Sequence, residues 1–185
     1  MHRDIQRVLI SQYQIMGRVK ELAELVMADF APGREITIVP VMTGAMIFCG
    51  DLIRQIPIQM RIGLLAVSSY PGASIRSQGS QVIGQQLGDI RDQHVLLVDD
   101  ILDSGGTIRL IVPMLKQAGA AEVKSCVLLR KDRPAAKETH VDYVGFEIPD
   151  EFVVGYGLDY NNYYRNLPDI VTLTPEAVAR MRDAK

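Results

Sequence analysis

The sequence predicts a single α/β domain: a parallel sheet with helices on both faces and a small strand-rich annex at its C-terminal end. Three observations predict it. Short apolar runs such as ITIVPV, HVLLV and EVKSCVLL alternate with helical stretches through the middle of the chain, the order that builds parallel strands joined by helices. At 185 residues and 48% apolar content, the chain suits one full-sized core. It holds no internal repeat, low-complexity tract or linker.

Taken in order, Ser11 caps a helix running to about Asp29, with Ile15, Val19, Leu22 and Val26 on one face. Ala31-Pro32-Gly33 breaks it. ITIVPV reads as a buried strand, and Met42-Thr43-Gly44-Ala45 turns it into a helix carrying Ile47, Phe48, Leu52 and Ile53. Pro57 ends that region, and a strand follows over about Arg61 to Val67. SSYPGASIRSQGSQ is polar, rich in Gly and Ser and without helical period, so it reads as a long loop of the kind that serves function. VIGQQL is a strand, Asp89 to Gln93 a turn, and HVLLV the strongest strand signal in the chain. The helix after DDILDSGGT bears Ile108, Ile111, Val112 and Leu115 and closes at Gly119. EVKSCVLL, DYVGFEI, FVVG and IVTL are further strands, and Thr174 caps a last helix with Pro175 in its first turn.

Composition narrows the function. With 20 basic against 22 acidic residues there is no basic stripe, so nucleic acid is not an expected partner. Cys49 and Cys126 lie far apart without ligand-like spacing, which points to a reducing compartment, and Cys126 sits in an apolar run that suits core. The histidines His2, His94 and His140 are scattered and do not suggest a metal site. MHRDIQRVLISQ lacks the apolar stretch and small-residue site of a secretory signal, and no run is long enough to span a bilayer. The expectation is a soluble, cytoplasmic protein without a membrane partner.

The chemistry concentrates in VLLVDDILDSGGT. Ligands of open parallel sheets bind beyond the carboxyl ends of the strands, which is where Asp99, Asp100, Asp103, Ser104, Gly105, Gly106 and Thr107 fall. The glycines admit close backbone approach and a sharp turn. Ser104 and Thr107 add hydroxyls, and the N-terminus of the following helix adds amide donors, together a phosphate cradle that needs no lysine. Asp99 and Asp100 would repel phosphate directly, but they suit ribose hydroxyls or a hard cation such as Mg²⁺. Asp103, inside the turn, is placed to handle a proton.

Other readings fit less well. A strand ending in Asp-Asp could be a Walker B element, but no G-x-x-x-x-G-K-[ST] precedes it. An EF-hand loop fails on aspartate spacing and lacks the closing Glu, and Gly155 and Gly157 lack the third glycine of a dinucleotide fingerprint. An ordinary polar turn between strand and helix remains the plainest alternative, though three Asp and two Gly in so short a span weigh against it.

At these residues the pattern resembles the phosphoribosyl pyrophosphate motif of type I phosphoribosyltransferases: an apolar run, two acidic residues and D-[ST]-G-x-T. That motif names only the superfamily. The segment GFEIPDEFVVGYGLDYNNYYRNLP is similar to the hypoxanthine-guanine branch, and the resemblance extends from about Leu9 to Leu173. It implies the type I phosphoribosyltransferase fold over residues 1–185, with a core of about 36–148 and a hood from the N-terminal segment and about 149–185. The implied reaction is purine salvage, converting hypoxanthine or guanine plus phosphoribosyl pyrophosphate to IMP or GMP plus pyrophosphate with Mg²⁺, by a homodimer or homotetramer.

Residue by residue, the resemblance implies that Asp103 to Thr107 bind the 5′-phosphate, while Asp99 and Asp100 face the ribose hydroxyls and their Mg²⁺. Asp103 would also be the acid/base partner at N7 of the purine. Lys131, in LLRKDRP, matches the lysine that donates to the 6-oxo group, Phe152 would stack on the base, and the backbone of Val153 would read its 2-position edge. Asp159 would help hold a pyrophosphate-bound Mg²⁺, with Arg165, Thr43 and Gly44 at pyrophosphate. Ser69 and Tyr70 match the root of a loop that closes during reaction.

The chain departs from the pattern twice. Asp99 stands where the branch usually has Glu, and Thr43 where a Lys or Arg usually precedes the glycine. From the residues alone, core is the weaker alternative for Phe152, and a solvated loop face the weaker alternative for Lys131, among Arg130, Asp132 and Arg133. Two other functions are open: a nucleotide sensor that keeps the phosphoribosyl-binding fold without catalysis, and a phosphoribosyltransferase preferring xanthine or another base. Balanced charge and the presence of Asp103 disfavour the sensor, and Lys131 with the Phe152 segment disfavours adenine or a pyrimidine.

Overall fold

The computed structural model of the chain describes residues 3–30, 35–68 and 81–183. The break expected at Ala31-Pro32-Gly33, the loop root at Ser69 and Tyr70 and most of the Gly/Ser-rich stretch lie outside the described residues. In chain order the elements are β1 (Ile5–Ile10), α1 (Gln12–Asp29), β2 (Ile36–Met42), α2 (Met46–Ile53), β3 (Met60–Ile62), β4 (Leu64–Ser68) and β5 (Gln81–Gln86). They continue with β6 (His94–Leu102), α3 (Gly106–Gln117), β7 (Glu122–Lys131), α4 (Pro134–Lys137), β8 (Tyr143–Ile148), β9 (Val153–Val154), β10 (Ile170–Leu173) and α5 (Pro175–Asp183).

The main sheet has the order β5-β4-β2-β6-β7-β8, with β3 also beside β2. Its centre is parallel: Ile36 stands opposite His94, Val98 opposite Cys126, and Cys126 opposite Tyr143. Among the described residues, only β5, at the edge, is antiparallel to its neighbour in this sheet. The strand expected over about Arg61 to Val67 forms in two pieces along β2. Gly63 sits between them and donates its N–H to the Ile38 carbonyl at 2.9 Å.

Alternation along the central strands feeds two cores, because successive side chains leave opposite faces of a sheet. Leu96, Val98 and Leu128 pack under Ile15, Val19 and Leu22 of α1 and Phe48 and Leu52 of α2. Val95, Leu97 and Val127 pack under Ile108, Ile111 and Leu115 of α3. Full burial of each such side chain contributes about 1.5–3 kcal/mol. Helix α1 starts where expected: Ser11 Oγ accepts from Gln14 N–H and Gln14 Oε1 accepts from Ser11 N–H, a reciprocal cap. The C-terminus of α3 is followed by Gly119 at φ +98°, the left-handed position that favours glycine.

A second, antiparallel sheet of order β1-β10-β9 joins the two ends of the chain. The sequence marks no strand before Ser11. β1 forms because its backbone pairs with β10, Ile10 opposite Ile170, although most of its side chains stay exposed or half-exposed. Thr174 Oγ1 accepts from Ala177 N–H at 3.2 Å and caps α5 as expected. The turn after β9 is tied to the main body: Tyr156 Oη donates to Asp51 Oδ2 of α2 at 2.7 Å. No helix among the described residues is long and apolar enough to cross a membrane.

Candidate active site

The strand β6 runs farther than its apolar residues alone suggest. HVLLV continues as backbone-paired strand through Asp99, Asp100 and Ile101 to Leu102, with Asp99 opposite Val127 and Leu102 opposite Arg130. Asp99 and Asp100 therefore lie within the sheet and not on the turn beyond it, and Asp99 is only 4% exposed. Burial raises the Asp99 carboxyl well above the ordinary carboxylate range, and the neighbouring Asp100 charge adds to it. Burial also raises Asp100, against its hydrogen bonds to Asp99 and the backbone and the nearby Arg165 charge. Two adjacent buried carboxyls resist ionising together unless a cation stands by, which is the donor set a hard divalent ion accepts.

Beyond Leu102 the chain turns sharply into α3. Gly105 caps that helix at φ +76°, and a β-carbon there would stand 2.0 Å from Thr139 Oγ1 and 2.6 Å from Arg109 Nη1. Only glycine suits both the left-handed backbone and the crowding. Gly106 N–H donates to Ser104 Oγ at 3.4 Å, so the Ser104 hydroxyl serves as acceptor within the turn. Arg109 braces the turn from below, donating to the Ser104 carbonyl at 2.7 Å and to Thr139 Oγ1 at 2.5 Å. With Thr107 in its first turn, α3 directs the positive end of its dipole at this turn.

Lys131 settles between its two readings. EVKSCVLL continues two residues farther, Arg130 opposite Glu147 and Lys131 opposite Ile148 of β8, so the lysine ends a strand instead of joining a solvated loop. Its side chain is 10% exposed, with Nζ 3.5 Å from Asp103 Oδ2 and 3.7 Å from Asp150 Oδ1. Arg133 contacts the same two acids: Nη1 donates to Asp103 Oδ1, and Nε donates to Asp150 Oδ2 at 2.7 Å. Asp103 remains 44% exposed on its side chain and open to a ligand. Phe152 is 49% exposed, which excludes the core reading, and meets Tyr160 edge-on at 5.0 Å between ring centroids. Val153, next to it, is buried and paired with Thr172 of β10.

The first turn and the segment after β9 meet. Thr43 follows Met42 through a cis peptide bond, and a β-carbon on Gly157 would stand 2.2 Å from the Gly44 carbonyl oxygen. Arg165 is fastened to that segment, donating to the Gly157 carbonyl at 2.7 Å and pairing with Asp159 Oδ1 at 2.7 Å. Asp159 Oδ2 accepts from Asn162 N–H at 2.7 Å. Among the described residues no three His, Cys, Asp or Glu side chains group as a metal cage.

The chain ends of β6, β7 and β2 thus gather Asp99, Asp100, residues 103–107, Lys131, Thr43 and Gly44, with Arg165 near Asp100, while Ser69 and Tyr70 lie outside the described residues. The sequence did not single out Arg133, Asp150, Arg109 or Thr139. Arg133 reaches Asp103 and Arg109 meets Thr139 across 30 residues, and Asp150 joins Arg133, so no local pattern marks these contacts. Cys49 and Cys126 are buried thiols away from this site, the first raised to about 11 by burial.

Comparison with known proteins agrees with this fold. A family model described as a phosphoribosyl transferase domain matches residues 10–161. The chain is 40% identical over 178 residues to the bifunctional protein TilS/HprT of Listeria innocua, covering 95% of this chain and 27% of that protein. It spans about a quarter of the length of that larger relative. It is 37% identical over 176 residues to a hypoxanthine-guanine phosphoribosyltransferase of Staphylococcus aureus, covering 95% of this chain and 98% of that one. Among solved structures, a hypoxanthine phosphoribosyl transferase of Trypanosoma cruzi matches with a TM-score of 0.89 at 31% identity, covering 100% of this chain and 99% of that one.

Proposed function

The chain belongs to the phosphoribosyltransferase family, in its hypoxanthine-guanine branch, and from that premise we propose that it joins hypoxanthine or guanine to the ribose of phosphoribosyl pyrophosphate. N9 of the base bonds to C1 of the sugar, the C1–oxygen bond to pyrophosphate breaks, and the purine N7 proton passes to Asp103. The products are IMP or GMP and pyrophosphate. A cytosolic setting and self-association as a dimer or tetramer belong to the same reading.

The observation that carries it is the meeting of Lys131 and Asp103, 3.5 Å apart on the ends of neighbouring strands, beside a glycine turn that opens a helix. A lysine donates and never accepts, so it suits a 6-oxo group and opposes a 6-amino group. A carboxylate next to it accepts the proton that the attacking base must lose. The turn at residues 103–107 suits the 5′-phosphate. Positive charge builds on the sugar as pyrophosphate leaves, so catalysis rests on positioning and electrostatics and needs no covalent nucleophile.

Asp99 and Asp100 would hold Mg²⁺ on the ribose side and Asp159 one on the pyrophosphate side, with Arg165, Thr43 and Gly44 also at pyrophosphate. When bound, Mg²⁺ offsets the negative charge of the departing pyrophosphate. Phe152 would stack on the base, and the Val153 backbone would read its 2-position edge. Ser69 and Tyr70 would root a loop that shuts water out.

The test is to incubate the chain with phosphoribosyl pyrophosphate, Mg²⁺ and, separately, hypoxanthine, guanine, xanthine and adenine, and to follow nucleotide and pyrophosphate. Product with hypoxanthine or guanine, lost in excess EDTA, is expected. Product from adenine alone, or from no base, overturns the reading.

A further inference from the structure

Asp103 is held by two cations, one on each oxygen. Oδ1 accepts from Arg133, and Oδ2 faces Lys131 at 3.5 Å. The same two cations face Asp150, Arg133 Nε at 2.7 Å and Lys131 Nζ at 3.7 Å. Two carboxylates and two cations therefore close a ring that links the turn after β6, the end of β7 and the segment after β8.

The two cations are not equivalent. The lysine distances exceed a good hydrogen bond, whereas Arg133 donates a hydrogen bond to each acid. In the proposed reaction Lys131 is drawn to the 6-oxo group of the base, which loosens its hold on Asp103. What then keeps the carboxylate aimed is the arginine, whose planar fork spans two acids at once. Such a hold is needed, because Asp103 leads straight into Ser104, Gly105 and Gly106 and its side chain is 44% exposed. Asp150 lies two residues before Phe152, so the fork also registers the segment that would clamp the base against the group that would take its proton.

We propose that Arg133 is a positioning residue for this reaction: bridging Asp103 and Asp150, it keeps the Asp103 carboxylate oriented toward the base after Lys131 has turned to the substrate. The proposal rests on the functional reading above and adds a residue to it. Arg133 acts through Asp103, and its removal leaves the phosphate turn and its Arg109 brace in place.

The test is a double-mutant cycle on the full chain, with turnover, phosphoribosyl pyrophosphate affinity and melting temperature measured for each variant. Arg133→Met is expected to lower kcat roughly 10- to 100-fold while leaving phosphoribosyl pyrophosphate affinity within about twofold. In an Asp103→Asn background the same change should cost nothing further, since the group through which Arg133 works is already gone. Arg133→Lys, which keeps one charge contact at a time, should fall between wild type and Arg133→Met and serves if the Met variant fails to fold. Turnover unchanged in Arg133→Met, or an equal further loss in the Asp103→Asn background, overturns the positioning role. A wild-type chain that forms no nucleotide is instead the failure of the functional reading, and it takes this proposal with it.

Discussion

The Asp100 carboxylate leans on the α-carbon of Gly44: a β-carbon at that position would stand 1.9 Å from Asp100 Oδ2 and 2.5 Å from its Cγ. The contact joins the first turn, after β2, to the acidic end of β6. Gly44→Val would push the carboxylate away or open the turn, and pyrophosphate inhibition should weaken severely. Thr43→Ala removes only a hydroxyl from a turn expected to bind through its backbone, at a cost of about 1 kcal/mol or less. Pyrophosphate inhibition constants measured side by side for the two variants check this. A severe loss in Thr43→Ala with little change in Gly44→Val would reverse the assignment.

Asp103→Asn keeps the shape of the turn and loses the proton acceptor. Phosphoribosyl pyrophosphate should bind nearly as in wild type while turnover falls tens- to thousands-fold, roughly the range of general acid–base contributions. Single-turnover kinetics with a separate binding titration resolves the two, and undiminished turnover would remove Asp103 from the chemistry.

Lys131→Ala should weaken use of hypoxanthine and guanine by more than it penalises adenine, because only the 6-oxo bases lose a donor. The comparison of kcat/KM across the three bases is the measurement. Equal loss for every base would mean that Lys131 serves mainly to hold Asp103 and Asp150.

The buried Asp99 carboxyl carries a pH signature. Its folded value is raised well above the ordinary carboxylate range, chiefly by burial. The folded state therefore binds more protons than the unfolded state between the two values, and stability falls as pH rises through that window. Asp99→Asn removes the ionisation. Without divalent cations the variant should unfold at higher urea than wild type at pH 8, and the gap should close near pH 4. A gap of constant size across that range would contradict the cause assigned to the shift.

Much of the fold could be read locally. Ser11 with Gln14, the repeat of Ile15, Val19 and Leu22, and Gly119 after α3 each mark a boundary within a few residues, and hydrogen bonding follows those marks. β1 could not be read so, since Arg7 and Val8 face outward and its pairing partner is at the other end of the chain. β6 and β7 outran their apolar runs for a related reason. Asp99 and Lys131 are charged residues that a pattern of hydrophobicity rejects, yet their backbones complete ladders with Val127 and Ile148.

What the sequence determined by itself is the chemistry available: an acidic pair, a glycine turn with hydroxyls, and a lysine, in an order that resembles a known family. Those signals are short-range, because a turn or cap is specified by residues next to one another. Tertiary structure alone decided which of these groups touch. The parallel register of β6 with β7 and of β7 with β8 brings Asp103, Lys131, Arg133 and Asp150 into one ring of charge. The same sheet makes Asp99 a buried acid. Register depends on the whole pattern of burial on both faces, so a contact between residues far apart in the chain leaves no trace in either local stretch.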